Sequence, residues 1–136
     1  MTPIFLSLAD VIALHREIVD RYGGDVGVLD PGRLEAAVAQ PAMSFSGTLL
    51  HPHLLDQAAA YLFHLVANHP FCDGNKRIGL LAALVFLERN GATIGGTADA
   101  WHDLTLAVAD GSLKKRGLTE RMRALVGLPG SQPRKP

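Results

Sequence analysis

The feature that most constrains this chain is an apolar run, Leu80 to Leu87, which follows directly on a polar loop. The run reads LLAALVFL and contains no charged or polar side chain. The helix predicted to carry it extends from about Asn75 to Arg89, with Asn90-Gly91 as its C-terminal signal, and is apolar on nearly all sides. Such a helix needs other helices around it. The sequence therefore predicts an all-α, single-domain bundle of about six helices around the helix at 75–89, with a possible short flap hairpin.

The other five helices are predicted from apolar residues at helical spacing and from residues that favour helix ends. Ser7 and Asp10 resemble a capping box, and Asp30-Pro31 places proline at a first helical position. Thr97 and Thr119 are the predicted caps of the last two helices. The predicted segments are about 8–22, 31–40, 54–68, 98–109 and 120–126.

The segments between and after these helices carry fewer signals. Residues 42–52 show no sustained period and are interpreted as a loop or short hairpin, a common form for a flap over a site. Strand alternation is indicated only at 92–94. The predicted domain covers residues 1–126, and residues 127–136 are predicted to form a polar, disordered tail.

Composition restricts the class of protein. At 136 residues with 48% hydrophobic content, the chain fits one globular domain. Cys72 is the single cysteine, so an internal disulfide is excluded. The N-terminus lacks the features of a signal peptide, and the longest apolar run is too short to span a bilayer. We therefore expect a cytoplasmic protein that does not bind membranes.

The charges balance overall but are unevenly distributed. Residues 111–136 contain seven cations and a single acid, Glu120. A basic end of this kind can bind nucleic acid or an acidic protein segment. No aromatic residue is interleaved with these cations, so the stacking platform of a single-strand binder is missing. A solvated basic helix and tail is the favoured interpretation, and a nucleic-acid partner is not expected.

Two cations at the start of the apolar helix point to a bound anion. Lys76 and Arg77 fall in its first turn, where the helix dipole is positive and each cation costs about 0.3–1 kcal/mol. An anion that binds the free backbone N–H groups and both side chains would offset this cost. The pattern predicts a phosphate site.

The residues before these cations supply further chemistry. His69 can take a proton from a hydroxyl near neutral pH, and Asp73 is an oxygen ligand of the kind that magnesium uses beside phosphates. Gly74 permits close backbone approach or an unusual conformation, and Asn75 can cap the helix or donate to a phosphate. Phe71 is expected to point inward and hold the loop on the core. Taken singly, His69 also fits a helix boundary and Asp73-Gly74 a turn. Asn75 also fits a cap, and Phe71 a packing residue. Together they indicate phosphoryl or nucleotidyl transfer to a hydroxyl.

The run from His69 to Arg77 resembles the Fic family signature: histidine, any residue, phenylalanine, any residue, an acid, glycine or alanine, asparagine, glycine or lysine, arginine. Lysine at position 76 resembles the death-on-curing (Doc) toxin branch. The likeness covers nearly the whole chain. Further matching stretches are Ile12-Ala13-Leu14-His15, Arg21-Tyr22-Gly23-Gly24, Asp30-Pro31-Gly32-Arg33 and Leu84-Val85-Phe86-Leu87-Glu88-Arg89-Asn90-Gly91.

The resemblance implies a fold, a reaction and partners. Fic proteins are helical and usually transfer a nucleoside monophosphate to a protein hydroxyl, with the motif histidine (His69) as base and magnesium at the acid (Asp73). Longer Fic signatures carry glycine at the position of Lys76 and arginine at that of Leu80. This chain therefore differs from those signatures at two positions, and Doc toxins differ at the same two. Doc toxins transfer the γ-phosphate of ATP to a threonine of elongation factor Tu. The implied nucleotide and phosphate ligands are Gly74, Asn75, Lys76 and Arg77, with Phe71 in support. The implied partner is a Phd-type antitoxin, since no inhibitory serine/threonine-plus-glutamate motif is present.

Three alternatives to the kinase remain open. One is a protein adenylyltransferase, and another is a non-catalytic module with a Fic fold. The third is a metal-binding module, suggested by His51, His53, His64 and His69, although no pair has the i, i+4 spacing of helical ligands. His15 lies on an apolar stripe and is interpreted as a core residue, and His64 as a partly buried polar one.

Overall fold

Six α-helices form most of the structure, which a computed structural model describes over residues 2–130. The predicted helical bundle is confirmed. The helices are α1 (Leu8–Tyr22), α2 (Pro31–Ala39), α3 (Leu54–Asn68), α4 (Asn75–Arg89), α5 (Ala98–Ala109) and α6 (Lys115–Arg123), with a 3₁₀ turn at Gln40–Ala42. The bounds of α3 and α4 agree with those predicted from the sequence.

Three helices begin at the predicted caps. At α1 the capping box is complete, because Asp10 N–H donates to Ser7 Oγ (3.1 Å) and Ser7 N–H donates to Asp10 Oδ2 (2.9 Å). Asp30 accepts from the N–H of Arg33 at 3.1 Å to start α2. Thr97 accepts from the N–H of Ala100 at 3.1 Å to start α5.

The prediction for α6 is wrong at both ends. The helix begins at Lys115, with Lys114 as N-cap, and ends at Arg123. Thr119 lies inside it, where its hydroxyl donates to the carbonyl of Lys115 at 3.1 Å instead of capping a helix start. No apolar period marks the first turn of α6, so the sequence pattern predicts a helix start that is too late in the chain.

Two short antiparallel ladders accompany the helices. β1 (Ser44–Phe45) pairs with β2 (Thr48–Leu49), so the irregular stretch at 42–52 contains a short hairpin, and its role as a flap stays a prediction. β3 (Thr93–Ile94) pairs with β4 (Val126–Gly127), a strand that the sequence did not predict. Leu128 also packs against the core. The predicted boundary after residue 126 therefore falls within β4, and Gly127 and Leu128, which the prediction assigned to the tail, contact the rest of the protein. Residues 131–136 lie outside the described part.

The core is built around a pair of helices. α3 contacts α2, α4, α5 and α6, while α4 contacts α1, α3 and α5. Gly79 brings the pair together, since a Cβ there would stand 2.7 Å from Val66 Cγ2 and 3.1 Å from the carbonyl oxygen of Leu62. The sequence predicts one central helix, α4, whereas the structure has two, α3 and α4. None of the helices within residues 2–130 is both long and apolar enough to cross a membrane.

Candidate functional site

The loop between α3 and α4 carries the motif residues, and His69 opens it. His69 follows directly on α3 with φ 49° and ψ 54°, a left-handed conformation that is uncommon outside glycine and that turns the chain away from the helix axis. Its side chain is exposed. Phe71, two residues later, is fully buried, as predicted, and anchors the loop on the core.

The carboxamide of Asn75 holds this loop in shape. Its Oδ1 accepts from the N–H of Phe71 at 2.9 Å, and its Nδ2 donates to the carbonyl of Phe71 at 2.9 Å. The same Nδ2 lies 2.9 Å from His69 Nδ1. Asn75 is the first residue of α4 and is buried, and Gly74 is the N-cap. The predicted capping role of Asn75 is therefore wrong, and both N–H groups of its amide already have protein partners.

This contact determines where the neutral imidazole of His69 carries its proton. Since Oδ1 of Asn75 accepts from a backbone N–H, the amide orientation is fixed, and Nδ2 can only donate. His69 Nδ1 is then the acceptor. The neutral ring carries its proton on Nε2, and Nδ1 holds the lone pair.

Asp73 is held by the segment that follows α1. One carboxylate oxygen, Oδ2, accepts from the backbone N–H of Asp25 at 2.8 Å. Further backbone bonds join the two segments: Cys72 N–H donates to the carbonyl of Gly27 (3.0 Å), and Leu29 N–H donates to the carbonyl of Pro70 (2.8 Å). Asp73 is exposed. Its second oxygen has no hydrogen bond within the described residues, so it is the atom open to a ligand.

The donor set at Asp73 fits magnesium bound together with phosphates. Within residues 2–130 no group of three or more histidine, cysteine or acidic side chains is arranged to hold a metal ion. His51, His53, His64 and His69 therefore do not form such a group within these residues. A single carboxylate is instead the kind of ligand set that Mg²⁺ uses when water and substrate phosphates complete its octahedron.

The start of α4 carries the residues that the sequence predicts to bind an anion. Gly74 has φ 78°, which glycine adopts readily, and none of the described side chains caps the helix. Lys76 and Arg77 lie in the first turn, both exposed, and this turn has no acidic residue. The first turn of α4 thus has backbone N–H groups that no described side chain caps, together with two exposed cations, shortly after His69 and Asp73 in the chain.

Arg77 also borders a groove between α1 and α4. Its guanidinium carbon is 4.2 Å from the centre of the Tyr22 ring, a cation–π contact. The groove has a volume of about 770 Å³, and Arg77 is the only predicted site residue among its lining residues within the described chain. The lining residues are Glu17, Ile18, Asp20, Arg21 and Tyr22 from α1, and Arg77, Leu80, Leu81 and Leu84 from α4.

Sequence reasoning missed several residues that contact the motif loop, among them His15, Asp25 and Tyr22. His15 is 1% exposed, as a core residue should be, but its Nε2 also lies 2.7 Å from the carbonyl oxygen of Asp73. His15 and Asp73 are 58 positions apart, so no local spacing could have indicated the contact. His64 is partly buried, as predicted, and accepts from Lys115 Nζ at 2.8 Å.

Comparison with known proteins identifies the family of this chain. The model of the Fic/DOC family matches residues 5–87, more than half of the chain. The chain is 34% identical over 122 residues to "Protein kinase doc" of Escherichia phage P1, covering 90% of this chain and 95% of that protein. It is 44% identical over 78 residues to "Toxin Doc" of Mycolicibacterium smegmatis, covering 57% of this chain and 60% of that protein. With this coverage and with the motif loop in place, the chain belongs to the Fic/Doc family.

Proposed function

We propose that this protein is a Doc-like toxin with kinase activity, which transfers the γ-phosphate of ATP to a threonine hydroxyl of a translation factor. The observation that carries this proposal is the start of α4, where two exposed cations and free N–H groups follow directly on the loop with His69 and Asp73. The similarity to "Protein kinase doc" along 90% of the chain supports the same reaction class.

The proposed reaction is one phosphoryl transfer. The threonine oxygen forms a bond to the γ-phosphorus, the bond from that phosphorus to the bridging oxygen breaks, and ADP leaves. His69 takes the threonine proton. Because Nδ1 holds the lone pair in this structure, Nδ1 receives the proton once the ring has released the amide of Asn75.

The remaining motif residues hold and neutralise the phosphates. Lys76 offers a compact charge and Arg77 a planar fork to phosphate oxygens. The backbone N–H groups after Gly74 add donors at the positive end of α4. Asp73 would hold Mg²⁺ through its second oxygen, and the ion would offset negative charge on the phosphates. Asn75 acts in this proposal by shaping the loop through its two hydrogen bonds to the backbone of Phe71, and it gives up its contact with His69 when the ring takes the proton.

Two residues favour phosphoryl transfer over AMP transfer. Lys76 adds a cation to the phosphate site at a position where adenylyltransferases of the family carry glycine. Leu80 takes the place of their second arginine and lines the groove, where it provides no charge. Adenylyl transfer to a protein hydroxyl remains the alternative reaction.

The proposal includes a target and a partner. By resemblance, the target is a threonine of elongation factor Tu, and its modification would halt translation. The toxin name of the Mycolicibacterium relative supports a neutralising antitoxin, which we propose to be of the Phd type. Such a partner is expected to suppress the transfer reaction at stoichiometric concentration, and a candidate that binds without suppressing it would fail as an antitoxin.

The deciding experiment follows the label of ATP. Purified protein is incubated with Mg²⁺, elongation factor Tu and either γ-labelled or α-labelled ATP. We expect protein-bound label from γ-labelled ATP alone, and a loss of at least about a hundredfold in His69→Ala, since general-base groups typically contribute 10²–10⁴-fold.

The matched control is His102→Ala, which removes an exposed histidine of α5 and should leave the rate unchanged. Label transferred from the α position would establish the adenylyltransferase instead. Transfer that persists in His69→Ala would exclude His69 as the base.

A further inference from the structure

His15 is buried in the protein, yet it makes a polar contact with the loop that carries Asp73. Its side chain belongs to α1 and is 1% exposed. Nε2 lies 2.7 Å from the carbonyl oxygen of Asp73. Because a carbonyl oxygen can only accept, Nε2 carries a proton and donates. The Asp73 residue is therefore held at its backbone by His15 and at its carboxylate by the N–H of Asp25.

The same imidazole ring supports Phe71. The two rings are nearly parallel, 10° apart, with their centroids separated by 3.7 Å. The backbone N–H and carbonyl of Phe71 are the groups bonded by Asn75, whose Nδ2 faces His69. Contacts thus extend from His15 to Asp73 directly, and to His69 through Phe71 and Asn75.

The loop closes directly over this ring. A Cβ at Gly74 would stand 3.5 Å from His15 Nε2 and 3.7 Å from Cδ2, which is ordinary contact distance. The left-handed conformation of Gly74, with φ 78°, places its backbone against the imidazole. A different side chain at position 15 would leave a gap below the loop or an unpaired carbonyl at Asp73.

We propose that His15 is a positioning residue for the metal-binding loop. The N–H of His15 bonds the Asp73 carbonyl, and its ring supports Phe71. Together these contacts orient Asp73 so that its free carboxylate oxygen can bind the metal. The inference rests on the proposed role of Asp73. Partners that orient a metal ligand typically contribute about 10–100-fold to metal affinity. A residue with only a packing role would lower stability when replaced and leave metal affinity unchanged.

The test uses a pair of substitutions that differ in the donor alone. His15→Gln keeps an N–H near the position of Nε2, whereas His15→Met has similar length and no donor, and both lose the ring. Mn²⁺ is titrated into ¹⁵N-labelled protein, and broadening of the Asp73 and Gly74 amide signals is followed by NMR. We expect His15→Met to shift the midpoint of the titration about 10–100-fold to higher Mn²⁺, and His15→Gln to shift it much less.

Two controls and one replacement variant make the outcome decisive. Val11→Ala removes a fully buried side chain of α1 and should lower the unfolding midpoint without shifting the Mn²⁺ titration. If His15→Met fails to fold, His15→Phe replaces it, since it retains the ring face without the donor. Asp73→Ala should abolish the broadening.

The results separate the two proposals. Equal Mn²⁺ midpoints for the Gln and Met variants would show that the donor does not position Asp73, and would overturn the inference alone. Broadening that is absent from the wild type, or unchanged in Asp73→Ala, would remove Asp73 as the metal ligand. That result would overturn the metal role in the proposed function and the inference together.

Discussion

At the scale of single residues, the charge of His64 is controlled by its neighbours. Its Nε2 accepts from the ammonium of Lys115 at 2.8 Å, so the imidazole is neutral in this contact. Burial is the largest effect that lowers the pKa of His64, to about 4, followed by the positive charge of Lys115 and the charge of His51. Burial likewise lowers the pKa of Lys115.

A lowered histidine pKa makes stability depend on pH. Unfolded chains bind a proton at His64 near the ordinary value of 6.5, whereas the folded protein binds it near pH 4. Between these values the unfolded state holds more protons, so stability falls as the pH falls from 6.5 to 4. Because the ring is only partly buried, we expect a loss on the order of 1 kcal/mol from this group.

Urea unfolding at pH 7 and pH 4.5 measures this loss. His64→Gln keeps an acceptor for Lys115 and does not titrate, so its loss of stability between the two pH values should be smaller than that of the wild type. His102→Gln, on the exposed side of α5, should lose as much as the wild type. If wild type and His64→Gln lose the same stability, His64 is not the group responsible.

The residues proposed to carry the chemistry could be recognised in the sequence because they share one short loop. The structure places them in the loop between α3 and α4 and in the first turn of α4, as expected from the order His69, Phe71, Asp73, Lys76 and Arg77. The role of Asn75 could not be predicted, because a capping asparagine and a loop-bridging asparagine look the same in sequence. The support from His15 comes from tertiary packing across 58 positions.

At the scale of secondary-structure elements, the pairing of α3 with α4 depends on the absence of a side chain at Gly79. Gly79→Ala would place a Cβ 2.7 Å from the stiff Val66 side chain and 3.1 Å from a backbone oxygen of α3. The two helices would have to separate, because neither neighbour can easily move. We expect a destabilisation of about 1–3 kcal/mol, the usual cost of overpacking, measured by chemical unfolding.

Gly117→Ala provides the matched control in α6. Its Cβ would meet only the end of the Leu113 side chain, at 3.0 Å, and that side chain is partly exposed and can rotate. Alanine is favoured over glycine inside a helix by about 1 kcal/mol, so this change should be neutral or stabilising. Equal destabilisation by both substitutions would show that helix flexibility, and not close contact with α3, determines the effect at Gly79.

Elements with strong end signals were predicted well, whereas β4, which is defined by pairing alone, was not predicted. The caps at Ser7, Asp30 and Thr97 act locally, so the sequence near them is sufficient. β4 has only two residues and exists through its partner β3, which lies more than thirty positions earlier in the chain. Propensity over two residues carries little information about a strand.

At the scale of the whole molecule, the groove between α1 and α4 is the surface on which we expect the proposed antitoxin to bind. Its floor is formed by partly buried leucines, Leu80, Leu81 and Leu84, and its rim carries charges of both signs. An amphipathic segment laid into such a groove would bury its apolar face and pair with the rim. Since Arg77 borders the groove, the bound segment would also cover one of the proposed phosphate ligands.

Leu81→Gln tests this surface, since it replaces an apolar contact in the floor of the groove by a polar one of similar size. Burying a leucine contributes about 1.5–3 kcal/mol, so we expect antitoxin binding to weaken about tenfold or more, measured by calorimetry with the purified Phd-type antitoxin. Leu106→Gln is the control, because Leu106 is 39% exposed on α5 and does not line the groove. Equal affinities of the two variants would place the antitoxin elsewhere. The expected result is that antitoxin affinity falls in Leu81→Gln and not in Leu106→Gln. If the antitoxin then also fails to suppress phosphoryl transfer by Leu81→Gln, the groove is connected to the loop through Arg77.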